Sequence, residues 1–266
     1  MRKYLYEFRL SLLCSFEYRF NTIVNLFFSN VGIIITLLFW GLIYAGSGNS
    51  NIQGFSLSDM VTYFILSSIF REFILSSSGF EVSNIIKSGK LSSYLLKPYN
   101  VNLSIYSRGI AGVLTNIFPQ ILIVLLFLPV LASHMSWRLE VQNVFFVIVF
   151  LFISAASSHL LWSLLGYSAF ILEDANSVMW LFAVLFNLVT GAFIPLDFFP
   201  TWAMRFLQFL PFSSWGYIPV KLYLNMYTLK ESFIMLVVHC CWILLLLLFN
   251  KFFWKKGTKH YTAVGG

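Results

Sequence analysis

Two long stretches of this chain, Phe20 to Ser58 and Val141 to Leu172, contain no Asp, Glu, Lys or Arg. A helix needs about 20 predominantly apolar residues to cross a bilayer, and each stretch exceeds that. A soluble fold would have to bury both and still coat itself with charge. Only 10% of the 266 residues are charged and 59% are apolar, against about 25% charged in an ordinary soluble domain. The class is therefore integral membrane protein. A compact soluble enzyme, a disordered tail and a secreted disulfide scaffold are excluded. Of the three cysteines, Cys240 and Cys241 sit side by side in an apolar run, which gives no disulfide framework.

The apolar runs are continuous and do not alternate with period two, so they predict helices and not a barrel. Six spans are expected: Ile23–Tyr44, Leu57–Phe80, Gly109–Leu131, Val141–Leu172, Ser177–Ile194 and Ser232–Phe249. Residues 23–254 form the six-span unit and 255–266 a basic tail. Residues 1–22 fail as a signal peptide, because Glu7, Arg9, Glu17 and Arg19 interrupt any apolar core. On a helical wheel Leu5, Phe8, Leu12 and Phe16 share one side and most charges the other. That predicts an amphipathic helix on the inner membrane face.

Six spans put both termini on one side. The N-terminal segment, the 81–108 loop and the tail hold twelve Lys and Arg, while the opposite loops hold four and Arg71 lies inside a span. The asymmetry places both termini in the cytoplasm. The net charge of +7 follows from this retention. No basic run interleaves with solvent-facing aromatics, so nucleic acid is not the expected partner; the lipid bilayer is.

Few residues carry reaction chemistry. Residues 88–92, SGKLS, lack the first glycine and the Ser/Thr of a phosphate-binding loop, with Asn84 and Leu91 standing there instead. The chain is therefore expected to hydrolyse no nucleotide. His134, His159, His239 and His260 have no second ligand at helical spacing, so no metal site is expected. His159 and His239 read as interhelical hydrogen-bonding groups. Arg71 is expected to pair across helices or to snorkel, because its sequence neighbour Glu72 does not share its helix face.

Two segments stand out. In 81–108, Ile85, Ile86, Leu91, Leu95 and Leu96 form a short apolar set flanked by Lys87, Lys90 and Lys97, punctuated by Gly89 and stopped by Pro98. It is too short and too basic to span, and reads as a cytoplasmic docking element. In 195–231, Pro195, Pro200, Pro211 and Pro219 cut the chain into pieces too short to cross. Trp202, Trp215 and Tyr217 suit the headgroup layer, and the stretch reads as a re-entrant outer segment of two short helices.

Together these segments resemble type-2 ATP-binding-cassette exporter permeases. The resemblance is to the branch with an inner I-x-x-G-x-L-x-x-x-L-L-K-P loop, matched by Ile86, Gly89, Leu91, Leu95, Leu96, Lys97 and Pro98. An outer P-L-x-x-x-P followed by L-P-F is matched by Pro195, Leu196, Pro200, Leu210, Pro211 and Phe212. The resemblance implies a coupling helix in the first inner loop and an outer segment that dips into the leaflet. It also implies a second permease chain, identical or homologous, and separate cytoplasmic ABC ATPase subunits that hold ATP and Mg, with no cofactor on this chain. An ion-driven secondary transporter would want acidic residues inside the spans, where only Glu72 stands. A membrane-embedded enzyme would want convergent His, Asp or Cys. The expected fold is an all-α integral membrane bundle with an N-terminal interfacial helix, six spans and a re-entrant outer segment before the last.

Overall fold

A computed structural model describes residues 2–17, 19–74, 76–97, 100–138 and 140–261. Helix α1 (Arg2–Glu17) precedes α2 (Arg19–Ser47). A hairpin of β1 (Asn51–Ile52) and β2 (Phe55–Ser56) pairs Asn51 with Ser56 and Ile52 with Phe55. Its turn residues Gln53 and Gly54 both have positive φ, as a two-residue hairpin requires. Helix α3 (Leu57–Ile74) starts from a reciprocal cap. Ser56 N donates to Asp59 Oδ2, and Asp59 N donates to Ser56 Oγ, each at 3.1 Å.

Next come α4 (Ser78–Lys87), α5 (Leu91–Leu95) and α6 (Val101–Leu131). Gly89, at φ 73, makes the left-handed step between α4 and α5 that a Cβ would disfavour. Asn100 caps α6 by accepting from Leu103 N. Helix α7 (Val141–Gly166) ends in a 3₁₀ turn, Tyr167–Phe170, and α8 (Ala175–Val189) is capped by Asp174. The Ser177 amide and hydroxyl hold the Asp174 carboxyl below its usual range. Short α9 (Thr201–Leu207) and α10 (Tyr217–Tyr223) follow, and then α11 (Leu229–His260). Thr228 and Glu231 form a capping box at the start of α11.

Among the described residues four helices are long and apolar enough to cross a membrane: α2 from Asn30, α6, α7 and α11. Helix α8 is apolar but has 15 residues, about 22 Å at 1.5 Å per residue. Helix α3 carries Asp59, Arg71 and Glu72. Several boundaries differ from those read in the sequence. The second apolar run breaks after Ile74, in a stretch of serines, and α4 starts anew at Ser78. The third helix begins at Val101, where Asn100 supplies the cap. The fourth ends at Gly166, and the last extends from Leu229 to His260.

The packing gathers at two ends. At the hairpin end, Trp40, Tyr44, Phe55, Met60 and Tyr63 are buried with Leu196, Trp215 and the buried residues of α10. At the other end, here the basic end, Val82, Ile85, Ile86, Leu91, Val101 and Ile105 are buried with Tyr167, against Phe170, Trp254 and Tyr261. Helix α1 docks beside the start of α6. Asn100 N donates to Tyr4 Oη at 3.1 Å, and Ser11 Oγ donates to Arg108 O at 3.4 Å. Leu5 on the apolar side of the wheel is exposed, Phe8 and Leu12 on the same side are half-buried, and the polar contacts that anchor α1 come from Tyr4, Glu7 and Ser11.

Candidate functional site

The basic segment starts from α4, which lies against α7 with no side chain between them. A Cβ on Gly79 would stand 2.4 Å from Trp162 O, and one on Gly166 would stand 2.5 Å from Gly79 O. Only glycine at both positions permits this approach. Ser78 Oγ donates to His159 O at 3.2 Å and Ser83 Oγ to Asn176 Oδ1 at 3.1 Å, tying α4 to α7 and α8. Arg108 of α6 adds a clamp: its Nε donates to Glu81 Oε1 at 2.7 Å and its Nη1 to Glu7 Oε2 at 2.9 Å. One guanidinium thus joins α1, α4 and α6. Burial raises the Glu81 carboxyl above its ordinary value, and the Arg108 charge opposes that rise.

The apolar residues of the inner segment divide into two groups. Ile85, Ile86 and Leu91 are buried in the chain's own basic-end cluster, Leu91 at 0% exposure. They hold α4 and α5 against Tyr167 and Trp254 and present no surface. Leu95 and Leu96 are exposed, Leu96 at 87%, beside the exposed Lys87, Lys90 and Lys97. Lys97 Nζ lies 4.9 Å from the Tyr94 ring centre. Gly89 sits at the turn between the helices. Pro98, the last residue of the inner motif, lies outside the described residues.

The outer segment also divides. Pro195, Leu196, Pro211, Trp215 and Tyr217 are buried, whereas Pro200 and Trp202 face outward, Trp202 at 74% exposure. Trp215 and Tyr217, expected in a headgroup layer beside Trp202, are packed inside the bundle instead, and of the three Trp202 alone is exposed. Trp215 Nε1 donates to Ser157 Oγ of α7 at 3.0 Å, and Phe212 stacks on Phe186 of α8 with ring centres 4.8 Å apart. Lys221 Nζ donates to Asp197 Oδ1 at 2.8 Å and to Tyr217 Oη at 3.0 Å. This ion pair locks α10 to the Leu196–Phe198 turn. Tyr63 Oη donates to Gly191 O at 2.7 Å. His239 Nδ1 lies 2.8 Å from Met235 O, and its Nε2 lies 3.2 Å from Ser213 Oγ, so it bonds α11 to the outer segment.

Helix α7 touches both segments within one turn. Ser157 receives Trp215 of the outer segment, His159 O accepts from Ser78 of α4, and between them Ser158 Oγ donates to Ile74 O at 2.8 Å at the end of α3. Nothing in the sequence singled these serines out; serines spaced within one turn of an apolar run were the available sign. Arg71 departs from the expectation that Glu72 would not be its partner. Its Nη2 lies 3.7 Å from Glu72 Oε1, because the long side chain reaches back to its neighbour at the last turn of α3. Among the described residues no group of three His, Cys, Asp or Glu could hold a metal.

A family model described as an ABC-2 family transporter protein matches residues 31–265. The chain belongs to the ABC-2 transporter family. The match runs from within α2 beyond the end of α11, and so includes both segments described above. A search among curated proteins finds no match. Membership makes this a multi-pass membrane protein and a membrane transport component, with the helical bundle as its membrane domain.

Proposed function

We propose that this chain is the permease subunit of an ATP-driven exporter, with ATP hydrolysed on separate cytoplasmic ABC ATPase subunits and with Mg held there. In this reading α2, α3, α6, α7, α8 and α11 cross the membrane six times, and the basic end faces the cytoplasm. Segment 84–98 docks on the ATPase, and 195–231 forms the outer gate of a path between two permease chains. The match of Ile86, Gly89, Leu91, Leu95, Leu96, Lys97 and Pro98 to the inner motif supports placing the chain in the branch named above.

One observation carries the reading: an exposed, basic, leucine-bearing segment is mounted without slack on α7, the helix that also holds the outer segment. A nucleotide-driven push on Lys87–Lys97 would reach α4, pass through the Gly79–Gly166 crossing and arrive at Trp215 through Ser157. Transport by this route is mechanical work passed through packed elements, which needs two arrangements of the bundle and no catalytic side chain. With Ile86 and Leu91 committed to internal packing, Leu95 and Leu96 supply the apolar contact. The lysines supply orientation and salt dependence.

The test is co-purification with an ABC ATPase subunit co-expressed with the chain. The triple variant Lys87→Glu, Lys90→Glu, Lys97→Glu should lose the ATPase at low salt while keeping its own melting temperature. Retention equal to that of the unaltered chain would contradict the assignment. Orientation is tested by external maleimide on intact cells, which should label Asn51→Cys and Thr228→Cys and spare Ser93→Cys.

A further inference from the structure

On the outside of the bundle, near the basic end, α6, α7 and α11 leave a cleft of about 830 Å³. Leu103 of α6, Leu160 of α7 and Ile243 and Leu247 of α11 line its apolar part. Asn100, Asn102, Ser163 and Lys251 line it too, and Tyr94 and Leu95 of α5 reach it from the basic segment. The cleft is thus amphipathic along the bundle axis. From Ile243 to Lys251 is about 12 Å of helix, which gives an apolar slot that ends at a cation.

Three observations say what it holds. First, Ser163 is 2% exposed and its hydroxyl has no hydrogen-bond partner. A buried hydroxyl left so is costly, and Ser163 is one of the residues that line the cleft, where a ligand oxygen would satisfy it. Second, the charge there has one sign. Lys251 lines the cleft, Lys255 follows one turn later on the same face of α11, and no lining residue is acidic. Third, the surroundings are exposed and apolar: Leu103, Leu247 and Leu248 face outward, and on a membrane-crossing bundle such a face meets acyl chains. Basic pockets between spanning helices are suited to anionic headgroups.

We propose that this cleft binds an anionic phospholipid of the adjoining leaflet. One acyl chain lies along Leu103, Leu160, Ile243 and Leu247. The phosphate sits at Lys251, with Ser163 and Asn102 in hydrogen-bonding range of the headgroup and glycerol region. The lipid also touches Tyr94 and Leu95, so its occupancy bears on the segment proposed to meet the ATPase. The site itself rests only on membership of a membrane-protein family and not on that proposal.

The experiment is native mass spectrometry of the full purified chain in detergent, titrated with phosphatidylglycerol or phosphatidylcholine of matched chains. The unaltered chain should retain phosphatidylglycerol preferentially. Lys251→Glu should cut that retention roughly tenfold, while Lys230→Glu, at the hairpin end, should leave it unchanged. Leu247→Trp, which fills the slot, should reduce retention of both lipids. Melting temperature and elution volume report whether each variant is folded, and Lys251→Gln serves as a milder second substitution. Equal retention of the two lipids by the unaltered chain, or equal loss in Lys230→Glu and Lys251→Glu, would overturn the site.

Discussion

A Cβ on Gly166 would stand 2.5 Å from the carbonyl oxygen of Gly79, so α4 and α7 meet backbone to backbone. Helix α4, which carries Lys87 at its end, is held on α7 by that crossing. Helix Gly79→Ala or Gly166→Ala would force the two helices apart, because the obstructing atoms are main-chain and cannot rotate away. Overpacking of this kind costs about 1–3 kcal/mol. Gly112→Ala, where a Cβ meets nothing within 4 Å, should be neutral or stabilising by about 0.5–1 kcal/mol. Thermal melts in one detergent compare the three. Equal melting temperatures for Gly79→Ala and Gly112→Ala would show that the crossing is not tight.

Leu91 and Leu96 stand five positions apart but should behave oppositely. Leu91 is wholly buried in the chain's own cluster, so Leu91→Ala should lower stability by about 2–5 kcal/mol. Leu96→Ser should leave the melting temperature alone and weaken ATPase assembly. Paired melting and co-purification measurements separate the two effects. The same loss of assembly without loss of stability in both variants would contradict the division.

Arg108→Met leaves Glu7 and Glu81 without their shared partner. Both carboxylates are partly buried, so the loss should be about 1–3 kcal/mol at neutral pH. Arg108→Lys should recover only part of it, since one ammonium cannot reproduce separate Nε and Nη1 contacts. The Glu81 carboxyl already titrates above its ordinary value. Its protonated form therefore favours the fold below the unfolded pKa, and that advantage disappears as pH rises through the raised one. Removing Arg108 raises the Glu81 pKa further, so the variant's deficit should shrink between pH 8 and pH 5. Melts across that range read it, and a deficit that grows on acidification would contradict the clamp.

Ser158→Ala removes the hydroxyl that satisfies Ile74 O, and Trp215→Phe removes the donor to Ser157. Each should cost about 1–2 kcal/mol. Ser158 and the Ser157 that receives Trp215 are adjacent positions of α7, so the double variant should deviate from additivity by at least about 0.5 kcal/mol if the two contacts are joined there. Strict additivity in a double-mutant cycle would mean that α7 carries the two contacts independently.

The apolar helices, the proline-cut outer segment and the basic end were legible, because hydropathy and charge act locally. The uses of particular residues were not. Ile85, Ile86 and Leu91 looked like an exposed set because their partners, Tyr167 and Trp254, lie far along the chain. Trp215 and Tyr217 looked interfacial by residue type, yet α7 and Lys221 draw them inside. The break after Ile74 follows a run of serines inside an apolar stretch, a weak signal beside the hydropathy around it. Thr228 and Glu231, three apart ahead of an apolar run, were a readable helix start and set α11 earlier than hydropathy alone did.

Contact between the basic segment and the ATPase is tested most directly by cross-linking. Cys14, Cys240 and Cys241 are exposed and are replaced first. Single cysteines are then placed at Lys90, Leu96 and Trp202, coupled to a short photoreactive maleimide and activated in membranes that contain the ATPase. The account predicts an ATPase adduct from Lys90→Cys and Leu96→Cys, diminished when nucleotide changes the complex, and none from Trp202→Cys. An adduct from Trp202→Cys, or none from either inner position while the ATPase still co-purifies, would place the contact elsewhere and contradict the account.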